Sequence, residues 1–154
     1  MKTLIIYISI HHGNTEKIAK AMAKVLDAKL VKPNEVNINE ISDYDLVGFG
    51  SGIYSWKYHN ALLNLVDKLS GVKNKKAFIF STSAVREIRF FHEFNKPLKK
   101  KLLEKGFDII GKFSCRGFLV VGPLKLIGGI NNGRPNEEDL EQARNFAKGL
   151  KRNN

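Results

Sequence analysis

The stretch YISIHHGNTEKIAKAMAKVL, residues 7–26, joins a strand pattern to a helical pattern through a polar turn. The preceding apolar run, Leu4–Ile8, contains β-branched residues and predicts a strand that ends near Ser9. Apolar residues then recur at helical spacing, at Ile18, Met22, Val25 and Leu26. This spacing predicts a helix over Thr15–Leu26. A strand followed directly by a helix is the unit from which α/β sheets are built, so this stretch guides the interpretation of the whole chain.

The rest of the sequence repeats the alternation. Further strands are predicted at Lys29–Lys32, Asp45–Gly52, Lys76–Ala84 and Phe107–Cys115. Helical stripes of apolar residues are found at Leu62, Leu63, Val66 and Leu69, at Leu98, Leu102 and Leu103, and at Leu140, Ala143, Ala147 and Leu150. Asn136 is placed to cap the last helix. The pattern predicts an α/β fold: a doubly wound five-stranded parallel sheet with helices on both faces.

Composition narrows the class of protein. The 154 residues, 43% of them hydrophobic, suit a single domain over residues 1–154. No apolar run reaches the roughly 18 residues of a membrane span, so we expect no integral membrane segment. The apolar N-terminal run is short and is interpreted as the first strand and not as a signal peptide. Cys115 is the only cysteine, which excludes an intrachain disulfide and favours a reducing, cytoplasmic location.

The formal net charge of +11 permits attraction to acidic proteins, nucleic acid or anionic cofactors. The most basic run, KPLKKKLLEKG at residues 96–106, belongs to a predicted helix whose leucines place the lysines mainly on the solvated face. No aromatic stacking platform or named binding motif accompanies it, so we expect no nucleic-acid partner.

Residues 9–15, which we call the phosphate turn, form the first candidate site. A helix N-terminus offers unpaired backbone N–H groups and a positive dipole end, which suit a phosphate. Gly13 permits close approach of an anion, Asn14 and Thr15 can cap the helix or donate to phosphate oxygens, and Ser9 adds a hydroxyl. The alternative is an ordinary polar turn with a good helix cap.

The adjacent imidazoles of His11 and His12 raise the question of a metal site. Neighbouring side chains in a loop diverge, and no third ligand of suitable spacing is evident. We therefore expect no metal. Either histidine can instead donate to a phosphate, or both are solvated.

Residues 51–60, SGIYSWKYHN, which we call the ring loop, form the second candidate site. They follow a strand end and offer Tyr54 and Trp56 as flat surfaces for an aromatic ligand. The alternative is that these aromatic residues cap the core. Ser81–Ala84 follow the next strand and offer hydroxyl and backbone groups, as a plain turn would also do.

The chain resembles the flavodoxin family over nearly its whole length, and three segments carry the resemblance. HHGNTEKIAKAMA, residues 11–23, is similar to the flavodoxin phosphate loop, Ser/Thr-x-Thr-Gly-x-Thr, with His12 in place of a threonine. YDLVGFGSGIYSWKYHNALLNLVDKL, residues 44–69, resembles the third strand and the flavin loop, in which Ser55 stands where a glycine is common. KAFIFSTSA, residues 76–84, resembles the fourth strand and its flavin-contacting turn. The resemblance implies the strand order 2-1-3-4-5 and FMN as the cofactor.

The resemblance also implies a set of cofactor-binding residues: Ser9, His11, His12, Gly13, Asn14, Thr15, Gly52, Ile53, Tyr54, Ser55, Trp56, Ser81, Thr82, Ser83 and Ala84. It implies an electron carrier between redox partner proteins, with no catalytic residue of its own. Two alternatives stay open. One is an FMN-dependent oxidoreductase of quinone or porphyrinogen type, like menaquinone-dependent protoporphyrinogen dehydrogenase. The other is a non-redox binding module. Flavodoxins are commonly acidic, so the charge of this chain points to partners with acidic docking faces. The long segment 118–136 is expected either to wall the ring site or to form a partner surface.

Overall fold

The computed structural model describes residues 1–55, 57–84, 91–120 and 122–152. The strands are β1 (Thr3–Ile8), β2 (Lys29–Val31), β3 (Leu46–Tyr54), β4 (Lys57–Tyr58), β5 (Lys75–Ser83) and β6 (Phe107–Arg116). The α-helices are α1 (Asn14–Leu26), α2 (Asn60–Lys68), α3 (Phe91–Glu104) and α4 (Glu137–Arg152). Short 3₁₀ helices lie at Pro33–Glu35, Ile38–Asp43 and Gly122–Ile127.

The five long strands form one parallel sheet in the order β2-β1-β3-β5-β6. Counted without the two-residue strand β4, this is the order 2-1-3-4-5, so the predicted fold class and strand order are confirmed. The chain reverses its winding direction between β1 and β3, because β2 lies on one side of β1 and all later long strands lie on the other. In such sheets this switch point is where ligands bind.

Strand β4 was not predicted. It pairs antiparallel with the end of β3, with Ile53 opposite Tyr58 and Tyr54 opposite Lys57. Strand β3 accordingly runs to Tyr54, two positions past the predicted end at Gly52. The ring loop is therefore a tight hairpin, which fixes the direction of the side chains at its start.

Two hydrophobic layers cover the sheet. Helices α1 and α4 bury one face, where Ile18 and Met22 pack near Phe78 and Phe80. Helices α2 and α3 bury the other face, against residues such as Phe49. The predicted apolar stripe of α3 is wrong at one position, because Leu103 is 49% exposed whereas Leu98 and Leu102 are buried. Position 103 lies about 100° around the helix from position 102, away from the sheet.

Close cross-strand packing explains the glycines of β3. Gly48 lies opposite Phe78 and Gly50 opposite Phe80 in the pairing of β3 with β5. A Cβ atom at position 48 would lie 2.4 Å from the Phe78 ring, and one at position 50 would lie 2.0 Å from the Phe80 ring. The two phenylalanine rings thus occupy the space above the glycines, and the small residues of this strand serve packing.

The start of α4 shows the cap that the sequence predicts. The Asn136 side chain accepts a hydrogen bond from the Asp139 N–H at 3.0 Å, and the Asp139 carboxylate accepts one from the Asn136 N–H at 2.9 Å. Such reciprocal bonds satisfy two N–H groups that a helix start leaves unpaired. Among the described residues, no helix has the length and apolar composition that crossing a bilayer requires.

Candidate ligand site at the switch point

A cavity of about 270 Å³ opens beyond the carboxyl ends of the sheet strands. This volume is near the lower end of the range for small-molecule sites, roughly 300–1,000 Å³. It is lined by His11, Asn14, Thr15, Gly52, Ile53, Tyr54, Ser55, Thr82, Ser83, Ala84, Gly117, Phe118 and Leu119. The phosphate turn, the ring loop and the end of β5, which are far apart in the sequence, therefore meet around one space.

The polar end of the cavity is formed by the start of α1 and the end of β5. The hydroxyl oxygens of Thr15 and Thr82 lie 2.8 Å apart and share a buried hydrogen bond. Asn14, which is 7% exposed, donates from Nδ2 to the Phe118 carbonyl at 2.8 Å. Its carbonyl oxygen Oδ1 is buried and has no hydrogen-bond partner. A buried acceptor of this kind is suited to a ligand hydroxyl or N–H group.

Neither Asn14 nor Thr15 caps helix α1. The N-cap is Gly13, which has a left-handed backbone with φ of 66°, and no side chain caps the first turn. The Asn14 N–H donates to the His11 carbonyl at 3.3 Å. The N–H groups that follow it in the first turn have no side-chain cap and are available to an external acceptor, and the dipole of the helix favours a negative one. This arrangement fits the anion-binding interpretation of the turn better than the interpretation as a well-capped turn.

The other end of the cavity is aromatic. The Tyr54 ring lies between the rings of His11 and His59, with centroid distances of 5.6 Å to each. The Tyr54 hydroxyl oxygen accepts a hydrogen bond from the Ile10 N–H at 3.2 Å. Burial raises the pKa of the Tyr54 phenol, against the lowering effect of the backbone N–H groups of Ile10 and His11, so the phenol is neutral at physiological pH.

Among the residues that the structure describes, none of those lining the cavity carries a carboxylate, an ammonium or a guanidinium group. Among the described residues, no group of three or more His, Cys, Asp or Glu side chains is arranged to hold a metal ion. The site thus offers hydrogen-bond donors, a helix N-terminus and flat apolar surfaces to a ligand.

Some of the residues predicted as cofactor-binding do not line the cavity. Ser9 and Ser81 have buried hydroxyls without hydrogen-bond partners. Side chains alternate along a strand, so Ser81 and its neighbour Thr82, which lines the cavity, point to opposite faces of the sheet. His12 packs on Phe118 with ring centroids 4.6 Å apart. Gly13 is the N-cap of α1. Trp56 lies outside the residues that the structure describes.

The third wall of the cavity includes the start of segment 118–136, for which walling the ring site was one of two expectations, and Gly117, which the sequence did not single out. Gly117, Phe118 and Leu119 directly follow β6. A side-chain amide anchors this wall, because Asn131 donates from Nδ2 to the Ala84 carbonyl at 2.7 Å and to the Gly117 carbonyl at 3.2 Å. One indication of this wall was present in the sequence: β6 was predicted as a parallel strand, so it also ends at the edge of the sheet where the switch point lies.

The segment 118–136 has two different parts. Its start walls the cavity, and its two sides are joined by paired backbone hydrogen bonds between Leu119 and Ile130. Its outer part exposes Leu126 and Ile127, at 91% and 71%. The start of the segment therefore walls the cavity, and a partner surface formed by its outer part stays a prediction.

Ser55 has a backbone conformation that favours glycine, with φ of 46°. A left-handed backbone costs a residue with a Cβ about 1–2 kcal/mol, and glycine loses about 0.5–1 kcal/mol more chain entropy on folding. Ser55→Gly should therefore raise the free energy of unfolding by about 0.5–1 kcal/mol in denaturant titrations. Ser70→Gly is the control, because Ser70 is exposed and its backbone is not left-handed. This change should lower the free energy of unfolding. Loss of stability in both variants would contradict a left-handed backbone at Ser55.

The fold and the cavity define an α/β domain with a candidate small-molecule site at the switch point of a parallel sheet. The model of the flavodoxin domain family matches residues 4–116, which is most of the chain. The chain belongs to the flavodoxin family.

Comparisons with individual proteins agree with this family. An uncharacterized protein of Methanocaldococcus jannaschii is 48% identical over 153 residues, covering 99% of this chain and all of the relative. The crystal structure of oxidised flavodoxin 2 from Bacillus cereus superposes with a TM-score of 0.73 at 22% identity, with complete coverage of both chains. Rubredoxin oxygen:oxidoreductase from Desulfovibrio gigas has a TM-score of 0.71 at 22% identity, covering 99% of this chain and 35% of the larger one. At these identities the two structures show a shared fold.

Proposed function

We propose that this protein binds FMN in the switch-point cavity and carries electrons between redox partner proteins. The observation that carries the proposal is the start of helix α1, which has no side-chain cap and lies at the polar end of a cavity whose other end is aromatic. A phosphate joined to a flat ring is the ligand that such an arrangement complements.

The polar end supplies groups suited to the phosphate and to the chain that links it to the ring. The N–H groups of the first turn of α1 and the Thr15 hydroxyl are donors for phosphate oxygens. The unpartnered Oδ1 of Asn14 requires a donor, which a ribityl hydroxyl supplies. The residues present therefore fit this half of the cofactor.

The aromatic end suits the flavin ring. Tyr54, Phe118 and Leu119 provide apolar surface, and the backbone of Ser83 and Ala84 provides polar groups at the ring edge. A flavin supplies the redox chemistry when bound, while the protein binds it, orients it and sets its electrostatic surroundings. A carrier needs no general acid, base or nucleophile.

The charge of the chain guides the choice of partners. With a net charge of +11, association is steered toward redox proteins with acidic docking faces. Cys115 is buried and forms no disulfide, which is compatible with a reducing compartment, and we propose the cytoplasm as the location.

The proposal is tested by the absorption spectrum of the purified protein and by identifying the flavin released on denaturation. We expect a yellow protein that releases one FMN per chain. Stoichiometric FAD, or failure of the colourless protein to take up added FMN, would contradict it. Assays with quinones and porphyrinogens then separate the carrier from the alternative function, because multiple turnover of either substrate would identify an FMN-dependent oxidoreductase.

A further inference from the structure

The chain segments that follow β5 and β6 form two walls of the aromatic end of the cavity. Ser83 and Ala84 belong to one wall, and residues 117–119 form the other, the third wall. The ladder between the two strands ends at the pair of Ser83 with Arg116. One further backbone bond follows, in which the Gly117 N–H donates to the Ser83 carbonyl at 2.9 Å. Beyond that bond, the position of the third wall depends on contacts made outside the sheet.

The side chain of Asn131 joins these two walls. Its Nδ2 donates to the Ala84 carbonyl at 2.7 Å and to the Gly117 carbonyl at 3.2 Å. Ala84 and Gly117 are the first residues after β5 and β6, so one amide group bridges the two chains where strand pairing ends. The backbone of Asn131 is left-handed, with φ of 55°, a conformation that asparagine and aspartate adopt more readily than most residues.

The turn that carries Asn131 is anchored on helix α4. The Asn131 carbonyl accepts the Arg134 N–H at 3.0 Å, and the Arg134 carbonyl accepts the Phe118 N–H at 3.0 Å. The Arg134 guanidinium donates to the Asp139 carboxylate at 2.7 Å, and the Asp139 side chain is only 4% exposed. The first turn of α4 thus holds the turn that presents the Asn131 amide to the two walls.

This bridge lies outside the part of the chain that matches the flavodoxin family model. The match ends at residue 116, whereas the third wall and Asn131 come after it. The aromatic end is therefore completed by residues that the family model does not include.

We propose that Asn131 is a positioning residue that holds the third wall where a flavin ring fits against it. The inference rests on flavin binding in the cavity, and it adds a residue outside the cavity lining that sets the affinity for the ring. When the amide donor is lost, the wall is in its binding position in only a fraction of the molecules, and the apparent affinity falls by that fraction. FMN and riboflavin carry the same ring, so both should lose affinity by the same factor.

Asn131→Asp removes the donor with little change of shape. Aspartate tolerates a left-handed backbone as asparagine does, but its ionised carboxylate can only accept hydrogen bonds. We expect the dissociation constants of FMN and riboflavin to rise equally at pH 7, by about fivefold or more, which corresponds to a wall in place in about a fifth of the molecules or fewer. Titrations of the apoprotein with each flavin measure both constants.

Asn132→Asp is the matched control. It makes the same change of charge at the neighbouring position, which is exposed. It should change the two dissociation constants by less than about twofold, as is usual for substitutions at the surface.

A pH profile distinguishes positioning by the hydrogen bond from general damage to the fold. Protonation gives the introduced carboxyl group an O–H donor again. Relative to Asn132→Asp, the loss of riboflavin affinity in Asn131→Asp should shrink to less than about twofold as the pH falls from 7 to about 4, near the ordinary pKa of an aspartate. Riboflavin is the probe because it has no phosphate whose charge changes over this range. Asn131→Gly keeps the left-handed backbone without a side chain, so its loss should persist at every pH.

A second readout needs no flavin. The N–H groups of Gly117 and Phe118 bond to the Ser83 and Arg134 carbonyls, so their hydrogen exchange reports the opening of the third wall. In the apoprotein, both should exchange about fivefold faster or more in Asn131→Asp and Asn131→Gly, and at the wild-type rate in Asn132→Asp.

The results separate the positioning role from the proposed function. If the wild type binds both flavins and Asn131→Asp weakens them no more than Asn132→Asp does, the positioning role is wrong and the flavin site stands. A loss of riboflavin affinity that stays the same at low pH, or unchanged hydrogen exchange in the third wall, would also contradict the role. If the wild type binds neither flavin, the proposed function fails and the role of Asn131 toward the ring fails with it.

Discussion

Replacing Thr15 by alanine should weaken FMN binding by about 1.5–3 kcal/mol, or roughly 10- to 150-fold in the dissociation constant. The Thr15 hydroxyl is buried at the start of α1, where it shares a hydrogen bond with Thr82 and borders the cavity. In the proposed complex it donates to a charged phosphate oxygen, and bonds to charged groups are stronger than bonds between neutral ones. Titration of the apoprotein with FMN, followed by quenching of flavin fluorescence, measures the loss.

Riboflavin distinguishes a phosphate contact from general damage to the site. Because riboflavin lacks the phosphate, Thr15→Ala should weaken it much less than it weakens FMN. Thr3→Ala is the matched control, since the Thr3 hydroxyl is also buried but has no hydrogen-bond partner and lies at the start of β1. Its FMN affinity should be that of the wild type. Equal losses of affinity for FMN and for riboflavin would contradict a contact between Thr15 and the phosphate.

Replacing Gly50 by alanine should lower the free energy of unfolding by about 3 kcal/mol, the upper end of the usual cost of overpacking a core. The added Cβ would lie 2.0 Å from the Phe80 ring, and Phe80 is itself fully buried beside Phe78, with ring centroids 6.1 Å apart. The ring therefore has to shift within a close-packed layer. Denaturant titrations of the apoprotein give the change in stability.

Gly149→Ala is the same chemical change and should have the opposite effect on the free energy of unfolding. Gly149 lies in α4, and a Cβ there would meet no atom within 4 Å, so alanine should stabilise the helix by about 0.5–1 kcal/mol. A loss below about 0.5 kcal/mol in Gly50→Ala would mean that the Phe80 ring does not occupy the space above β3.

The sheet was predictable because its signals are local. Each long strand contains an apolar run and each helix has an apolar stripe, so the alternation specifies a parallel sheet covered on both faces. The end of β3 was less predictable. The hairpin with β4 depends on a left-handed backbone at Ser55. A glycine at this position would have indicated such a conformation, whereas a serine does not.

The candidate site was predictable in position and less so in detail. Parallel strands end at one edge of the sheet, so the phosphate turn, the ring loop and the end of β5 were expected to meet. The orientations of individual side chains depend on distant contacts. Asn14 bonds to Phe118 across 104 residues, and Tyr54 bonds to Ile10 across 44. Neither contact has a local sequence signal, and this is why the sequence left two roles open for the segment after β6.

The most direct test of the account is a paired titration of the apoprotein with FMN and riboflavin. The proposed function places a phosphate at the start of α1 and a flat ring between Tyr54 and the wall after β6, within one cavity. It therefore predicts one FMN bound per chain, with an affinity at least about tenfold higher than that of riboflavin, since a charge-assisted hydrogen bond contributes about 1.5 kcal/mol or more. Equal affinities for the two flavins, or no saturable binding of FMN, would contradict it.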